Sequence, residues 1–141
     1  MLRYAGVLLL FGIGAVHLYE YLADHYRVIP TIGGLFVLNV VAAVVLGFVL
    51  ASPLRSPAAV RSVPVLGRAP HAFVALGAAV FALGTIIGLL ISEQASLFGF
   101  HEYGYRTGIV LALALEGAAV VVLLGFATLE LRRARPSVDG R

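Results

Sequence analysis

Ionisable residues that could carry chemistry gather near the end of the first apolar segment. His17, Glu20 and Asp24 follow one another at spacings of three and four residues, which places them on one face of a helix. An imidazole and a carboxylate one turn apart can bind zinc, copper, nickel or iron. Together with His101 and Glu102, His17 and Glu20 could supply four ligands to such an ion. The alternative is a set of hydrogen bonds and ion pairs without metal, which these short motifs favour.

Two arginines flank the same acidic residues. Arg27 follows Glu20 and Asp24 in the chain, and Arg106 follows Glu102. A carboxylate that is partly shielded from water is stabilised by a neighbouring positive charge. We therefore predict that Arg27 or Arg106 neutralises these acids and belongs to the same binding site.

A carboxylate inside the last apolar segment is a separate candidate. Glu116 lies in an otherwise apolar run, and a carboxylate in hydrocarbon must be paired, protonated or hydrated. Asn39 lies at a similar depth in the second segment, so we predict a hydrogen bond between the two side chains. Two roles stay open for this pair: a structural lock between helices, or a contact for a proton, an ion or a substrate.

The length and composition of the chain indicate that membrane helices position these residues. Mean hydropathy over the 141 residues is +1.02, and only 12% are charged, against about 25% in a soluble domain. The absence of cysteine excludes a disulfide scaffold and thiolate metal sites. Four apolar segments are long enough to span a bilayer: 4–22, 31–51, 72–91 and 107–129. The sequence therefore predicts an all-α bundle of four transmembrane helices.

The arginines predict the orientation of the helices. Eight of the ten lie before the first segment, between the second and third, or after the fourth, and only Arg27 and Arg106 fall on the other side. The positive-inside rule then places both termini in the cytoplasm. We expect one domain over 1–131, with its first helix retained because no small-residue cleavage site follows it. Residues 132–141 are expected to form a disordered cytoplasmic tail.

The two halves of the chain resemble each other. Asn39 and Glu116 each lead into a Val/Ala-rich run that ends in Leu-Gly-Phe, at 46–48 and 124–126. A true duplication would be a parallel 2+2 repeat of helical hairpins, and the alternative is a chance match between apolar helices.

Small residues in the third segment bear on how the helices pack. Gly84 and Gly88 form a GxxxG motif, which lets membrane helices approach closely. We expect it to serve packing within one subunit rather than a dimer face. A homo-oligomer or a larger membrane complex stays open as an alternative.

The first connection between segments carries a resemblance to a known group of proteins. His17-Leu18, the run from Tyr26 to Phe36 that contains Ile-Pro-Thr-Ile-Gly, and Asn39 are its main residues, and Ser96–Glu102 and Glu116 extend it. This pattern resembles an uncharacterised family of small four-helix integral membrane proteins of high-GC Gram-positive bacteria. The resemblance spans most of the chain. It implies the topology and a bacterial plasma membrane, and it leaves the activity and any cofactor open.

We expect a non-enzymatic binding or partner-subunit protein with an acidic, His-bearing extracytoplasmic mouth. Its binding residues would be His17, Glu20, Asp24, Arg27, Asn39, Arg106 and Glu116. One alternative is a small ion or proton channel or carrier that uses Glu20 and Glu116, and another is a metal- or quinone-linked redox protein. The sequence has no nucleophile or nucleotide motif, so no catalytic residue is assigned. The lipid bilayer explains the basic charge without nucleic acid as a partner.

Overall fold

Four long helices make up most of the computed structural model, which describes residues 1–23, 26–54 and 67–135. A short 3-10 helix, Tyr26–Val28, joins the first two. Each long helix is apolar enough and long enough to cross a membrane. The predicted all-α bundle of four transmembrane helices is confirmed, with helices α1 (Leu2–Ala23), α2 (Pro30–Ala51), α3 (Pro70–Gln94) and α4 (Thr107–Ala134).

The helices do not all pack equally closely. Helix α1 lies against both α2 and α4, and α3 lies against α4, whereas α2 and α3 meet only sparsely. The face of α3 that does pack is built from alanines, which let helices approach closely: Ala72, Ala75, Ala79 and Ala82, all buried. The bundle is therefore tight on three sides and loose between α2 and α3.

The outer surface of the bundle is apolar, as a lipid-facing surface must be. Large aliphatic side chains point outward from each helix, among them Leu8, Val45, Val80 and Val121. Such a surface would be unfavourable in water and fits the hydrocarbon of a bilayer.

The bundle has two distinct ends. We call the end formed by residues 26–29 and 95–106 the loop end, and the opposite end, which holds Met1 and Arg135, the terminal end. At the loop end, Ile29 is extended at φ −98° and ψ 104°, and Pro30 opens α2, as proline at the first helical position does. A Cβ on Gly33 would lie 2.9 Å from the Tyr26 carbonyl oxygen. Gly33 thus permits the tight turn that folds the 3-10 helix onto α2.

An arginine links two helices at the terminal end. The guanidinium of Arg3 donates to the carbonyl oxygens of Leu50 at 2.7 Å and Ser52 at 2.8 Å. These carbonyls lie at the C-terminal end of α2, where a positive charge is favourable. Arg3 therefore has a structural role, in addition to the topological role that the sequence predicts.

Helix α4 extends further than the sequence predicted. It runs to Ala134, so residues 132–134 are helical, whereas disorder was predicted from residue 132. Arg132 and Arg133 occupy the last turn, where positive charge favours the helix C-terminus. The rest of that tail, 136–141, and most of the connection between α2 and α3, 55–66, lie outside the described residues.

Candidate functional site

A cavity of about 510 Å³ lies among all four helices, in the half of the bundle next to the loop end. Most of its wall is aliphatic or aromatic, with phenylalanine rings from α2, α3 and the second loop. The polar side chains that line it come from every helix and from both loops: His17, Glu20, Tyr26, Asn39, Thr85, Ser92, Glu102 and Glu116. The cavity therefore collects most of the candidate residues that the sequence scattered over 100 positions.

The cavity opens sideways between α2 and α3. Val80 lines it near the middle of α3 and is still 69% exposed, so this part of the wall also faces the surroundings of the bundle. Gly84 and Gly88 line it as well, and a Cβ on either would meet no atom within 4 Å. The expected close helix packing at this GxxxG motif is therefore wrong for this chain. The glycines leave space beside the cavity instead.

His17 and Glu116 form a pair at the inner wall of the cavity. The two side chains are buried, and His17 Nε2 lies 3.6 Å from Glu116 Oε1. The other ring nitrogen, Nδ1, lies 3.0 Å from the carbonyl oxygen of Ile13. A carbonyl can only accept a hydrogen bond, so Nδ1 carries a proton and Nε2 of the neutral ring is an acceptor.

This tautomer means that the pair must hold a further proton. An unprotonated Nε2 facing an ionised carboxylate would place two acceptors against each other in a buried position. One proton between them removes the conflict, either on Glu116 as a carboxylic acid or on His17 as an imidazolium. The pair is then neutral overall and holds one exchangeable proton.

The predicted hydrogen bond between Asn39 and Glu116 is wrong. No hydrogen bond joins these two side chains among the residues that the structure describes, although both line the cavity. Helix α1 lies between α2 and α4 in the packing order, so His17 reaches Glu116 first. Asn39 lines the cavity from α2.

A second polar network closes the loop end of the cavity around Arg106. Its guanidinium lies 3.7 Å from Glu20 Oε2 and 3.5 Å from Glu102 Oε1, and it donates a hydrogen bond to the hydroxyl of Tyr26. The Tyr26 hydroxyl in turn donates to Glu102. The predicted neutralisation of the acids is confirmed for Arg106, which links α1, the first loop and the start of α4.

The carboxylate of Glu20 lies against the first turn of α4. A Cβ on Gly108 would overlap Glu20 Oε1, so the carboxylate occupies the space that any other residue at 108 would need. A negative charge at a helix N-terminus is favourable. Gly108 therefore allows Glu20, 3% exposed, to sit between the start of α4 and Arg106.

Tyr26 anchors the network in aromatic packing. Its ring stacks on Phe36 at 4.5 Å between centroids and meets Phe100 edge-on at 5.7 Å. Burial and the hydrogen bond to Glu102 raise the pKa of Tyr26 above its ordinary value. The hydroxyl thus stays protonated and continues to donate to Glu102.

The four residues predicted to bind metal are not brought together. His17 faces Glu116, Glu20 and Glu102 face Arg106, and the His101 ring packs on Tyr103. Among the residues with a described position, no three His, Asp or Glu side chains are grouped as metal ligands would be.

Arg27, another predicted binding residue, does not line the cavity. Arg27 is exposed in the 3-10 helix, and the ion pairs found in the described part of the site use Arg106 instead. Asp24 lies outside the described residues.

A packed layer separates the cavity from the terminal end. Leu10, Ile13, Ala43 and Leu123 are each 0% exposed and lie one or two helical turns beyond His17, Asn39 and Glu116. Together with the alanine face of α3 they form a continuous core cluster. The cavity therefore has an apolar floor.

Four contributors to the site were missed from the sequence: Tyr26, Thr85, Ser92 and Gly108. Thr85 lies beside Glu116. Thr85, Gly88 and Ser92 follow one another at spacings of three and four residues, which would have placed them on one face of α3. Gly108 had no such signal, because only the position of Glu20 shows why the residue must be small.

Comparison with protein-family models, characterised proteins and solved structures returns no match for this chain. The family resemblance therefore stays a prediction, and the site is interpreted from its own geometry.

The His17–Glu116 pair yields a first testable prediction. Glu116→Gln should leave thermal stability unchanged within error, because the amide keeps the size of the side chain and can donate to Nε2 of His17. Glu116→Leu should lower the free energy of unfolding by about 1–2 kcal/mol, because it leaves His17 without a donor, although water in the cavity can replace part of the loss. Thermal unfolding of the three proteins in one detergent measures both effects. A Leu variant as stable as the wild type would contradict the pairing.

Proposed function

We propose that this chain is a non-enzymatic, multi-pass membrane protein that binds an amphipathic, lipid-soluble molecule in the cavity between α2 and α3. The observation that carries the proposal is the cavity itself, which is open at mid-helix and mainly apolar, with polar groups gathered on one part of its wall. Its volume of about 510 Å³ falls in the range of ordinary small-molecule sites, about 300–1,000 Å³.

The side opening supports a ligand that arrives through the lipid. Val80 and Gly84 border the opening near the middle of α3, where the surrounding medium is hydrocarbon if α3 spans the membrane. A water-soluble ligand would have to enter past the loop end, where the Tyr26, Glu102 and Arg106 network lies. A lipid-soluble molecule can instead enter between the helices, with its polar group directed toward Glu116 and Asn39.

The floor of the cavity favours binding over conduction. A channel or carrier would need a hydrated route from Glu116 to the terminal end, and that route is filled by fully buried Leu10, Ile13 and Leu123. The polar groups therefore line a cavity that is closed toward the terminal end, as expected for a binding site.

The distribution of arginines supports a plasma-membrane orientation with cytoplasmic termini, in which the cavity belongs to the outer half of the bilayer.

Filling the cavity tests the proposal. Gly84→Leu adds a side chain toward the cavity, and Gly77→Leu adds the same side chain to the same helix away from it. Neither Cβ meets an atom within 4 Å, and leucine favours a helix over glycine, so both variants should fold. The proteins would be purified into lipid nanodiscs, extracted with organic solvent and compared with empty nanodiscs by mass spectrometry.

We expect a small molecule enriched with the wild type and with Gly77→Leu, and at least about tenfold less of it with Gly84→Leu, which corresponds to about 1.4 kcal/mol of lost binding. Equal enrichment with both variants, or no enrichment with the wild type, would contradict a ligand in this cavity.

A further inference from the structure

We propose that the ligand is a lipophilic organic cation, whose positive charge is neutralised by Glu116 and takes the place of the proton that Glu116 shares with His17. This inference rests on the proposed function and names the chemical class of the ligand for the same cavity. Three features of the cavity wall support it: the charges that line it, the hydrogen-bonding groups left open to it, and its aromatic rings.

The charged side chains that line the cavity are acidic. Glu20, Glu102 and Glu116 all contribute to the wall, whereas no arginine does so among the described residues. Arg106 meets Glu20 and Glu102 at the loop end, and its side chain is 44% exposed. Glu116 lies deeper, 2% exposed, away from that guanidinium. A cation inside the cavity would therefore find its counter-charge at Glu116.

The hydrogen-bonding groups open to the cavity are mostly acceptors. Ser92 uses its hydroxyl proton on the carbonyl of Leu89, and Thr85 uses its own on the carbonyl of Ala82 or on Glu116. Each hydroxyl keeps oxygen lone pairs for a ligand. A ligand that offers only acceptors, such as a quinone or an ester, could accept from the Asn39 amide but would oppose these two hydroxyls, whereas an ammonium group would complement them and the Asn39 carbonyl.

The aromatic rings on the wall also favour a positive charge. Phe36, Phe81, Phe98 and Phe100 line the cavity, and the face of an aromatic ring attracts cations, most strongly where water is excluded. Phe98 lies at the tip of the second loop, 68% exposed. The alkyl part of the ligand would extend toward Val80 and the lipid.

The exchange is balanced in charge and in protons. Before binding, the His17–Glu116 pair holds one proton and is neutral. When a cation R–NR′₃⁺ binds, the O–H bond of Glu116 or the Nε2–H bond of His17 breaks and one proton leaves to water. The site then contains a carboxylate, a neutral imidazole and the cation, whose positive charge replaces the proton beside the two acceptors, so the net charge of the site is unchanged.

The groups around Glu116 make this pair the site of exchange. Glu116 faces His17 of α1 and Thr85 of α3, and Asn39 of α2 lines the same cavity. Of these three, only His17 titrates. The remaining titratable residues of the site, Glu20, Tyr26 and Glu102, are joined to Arg106 at the loop end. Binding should therefore release about one proton per protein, and binding should strengthen as the pH rises.

A matched series of amphiphiles tests the proposal in nanodiscs of zwitterionic lipid. The probes are dodecyltrimethylammonium, dodecylamine and 1-dodecanol, which share one alkyl chain and differ in the head group. Binding is followed by the shift in thermal unfolding, with empty nanodiscs to correct for partitioning into lipid. Proton release is measured by titration in weak buffer with dodecyltrimethylammonium, because its own charge does not change with pH.

We expect both cations to bind the wild type at least about tenfold more tightly than 1-dodecanol, with about one proton released. Gly77→Leu should behave as the wild type does, and Gly84→Leu should lose binding of the cations. Tighter binding of dodecylamine than of the quaternary cation would assign a role to the acceptors of Thr85 and Ser92. Glu116→Gln, checked for folding by its unfolding temperature without ligand, should release no proton.

The possible failures separate the inference from the proposed function. If 1-dodecanol binds as tightly as the cations, or if the cations bind without proton release from the wild type, the inference fails and a cavity for a neutral amphiphile stands. If no member of the series binds and solvent extracts of the wild type and of Gly84→Leu are identical, both proposals fail.

Discussion

Arg106→Ala should lower the free energy of unfolding by about 2–3 kcal/mol. The substitution removes the guanidinium that faces Glu20 and Glu102, and both carboxylates would stay buried without it. Breaking a fully buried ion pair costs about 3–5 kcal/mol, and the lower value here reflects the 44% exposure of the Arg106 side chain. The loss should appear in thermal or denaturant unfolding in detergent.

A matched control and a double variant make this result specific. Arg27→Ala removes an exposed arginine of the same loop end and should change stability by less than about 0.5 kcal/mol. Arg106→Ala combined with Glu102→Gln should be more stable than the sum of the two single effects, because the second change removes one of the stranded charges. Strict additivity of the two changes would argue against the ion pair.

The local features of the fold could be predicted because they depend on neighbours in sequence. The four helices follow from the length of the apolar segments, and the start of α2 follows from Pro30 and its effect on Ile29. The prediction that Arg106 neutralises acids required only that both loops lie at one end of the bundle, which the alternation of the helices guarantees. The end of α4 was placed too early, because disorder was expected from residue 132 as in many chain termini, whereas Arg132 and Arg133 favour the last turn of the helix.

The pairing of Glu116 could not be predicted, because it depends on which helices are neighbours. The sequence predicted a similar depth for Glu116 and Asn39, and both residues line the cavity. Depth does not distinguish α1 from α2 as the partner of α4, and it gives no rotation of a helix about its axis. His17 lies on the face of α1 that turns toward α4, so it meets Glu116 instead.

The cavity could not be predicted from the sequence either, for a related physical reason. A GxxxG motif permits close packing, but it does not require a neighbour to be there. Gly84 lies where α3 diverges from α2, so the absence of a side chain there enlarges the opening. The same residue type brings elements together at Gly33 and keeps space open at Gly84, and only the neighbouring backbone separates the two cases.

Gly108→Ala should destabilise the protein by about 1–3 kcal/mol. The new methyl group would overlap Glu20 Oε1, so the Glu20 carboxylate must move. Overpacking a tight site costs about 1–3 kcal/mol, and here the displaced group is a buried carboxylate that would also lose its position beside Arg106. Thermal unfolding and the fraction of monodisperse protein after purification measure the effect.

Gly117→Ala is the matched control, because it makes the same change in the same helix where a Cβ meets no atom within 4 Å. It should be neutral or stabilise the protein by up to about 1 kcal/mol, since alanine favours a helix over glycine. Adding Glu20→Ala to Gly108→Ala should recover part of the lost stability, because the clashing carboxylate is then gone. If Gly108→Ala is as stable as Gly117→Ala, Glu20 does not lie against the start of α4. The network around Arg106 would then have to close the cavity without Glu20, through Tyr26 and Glu102 alone.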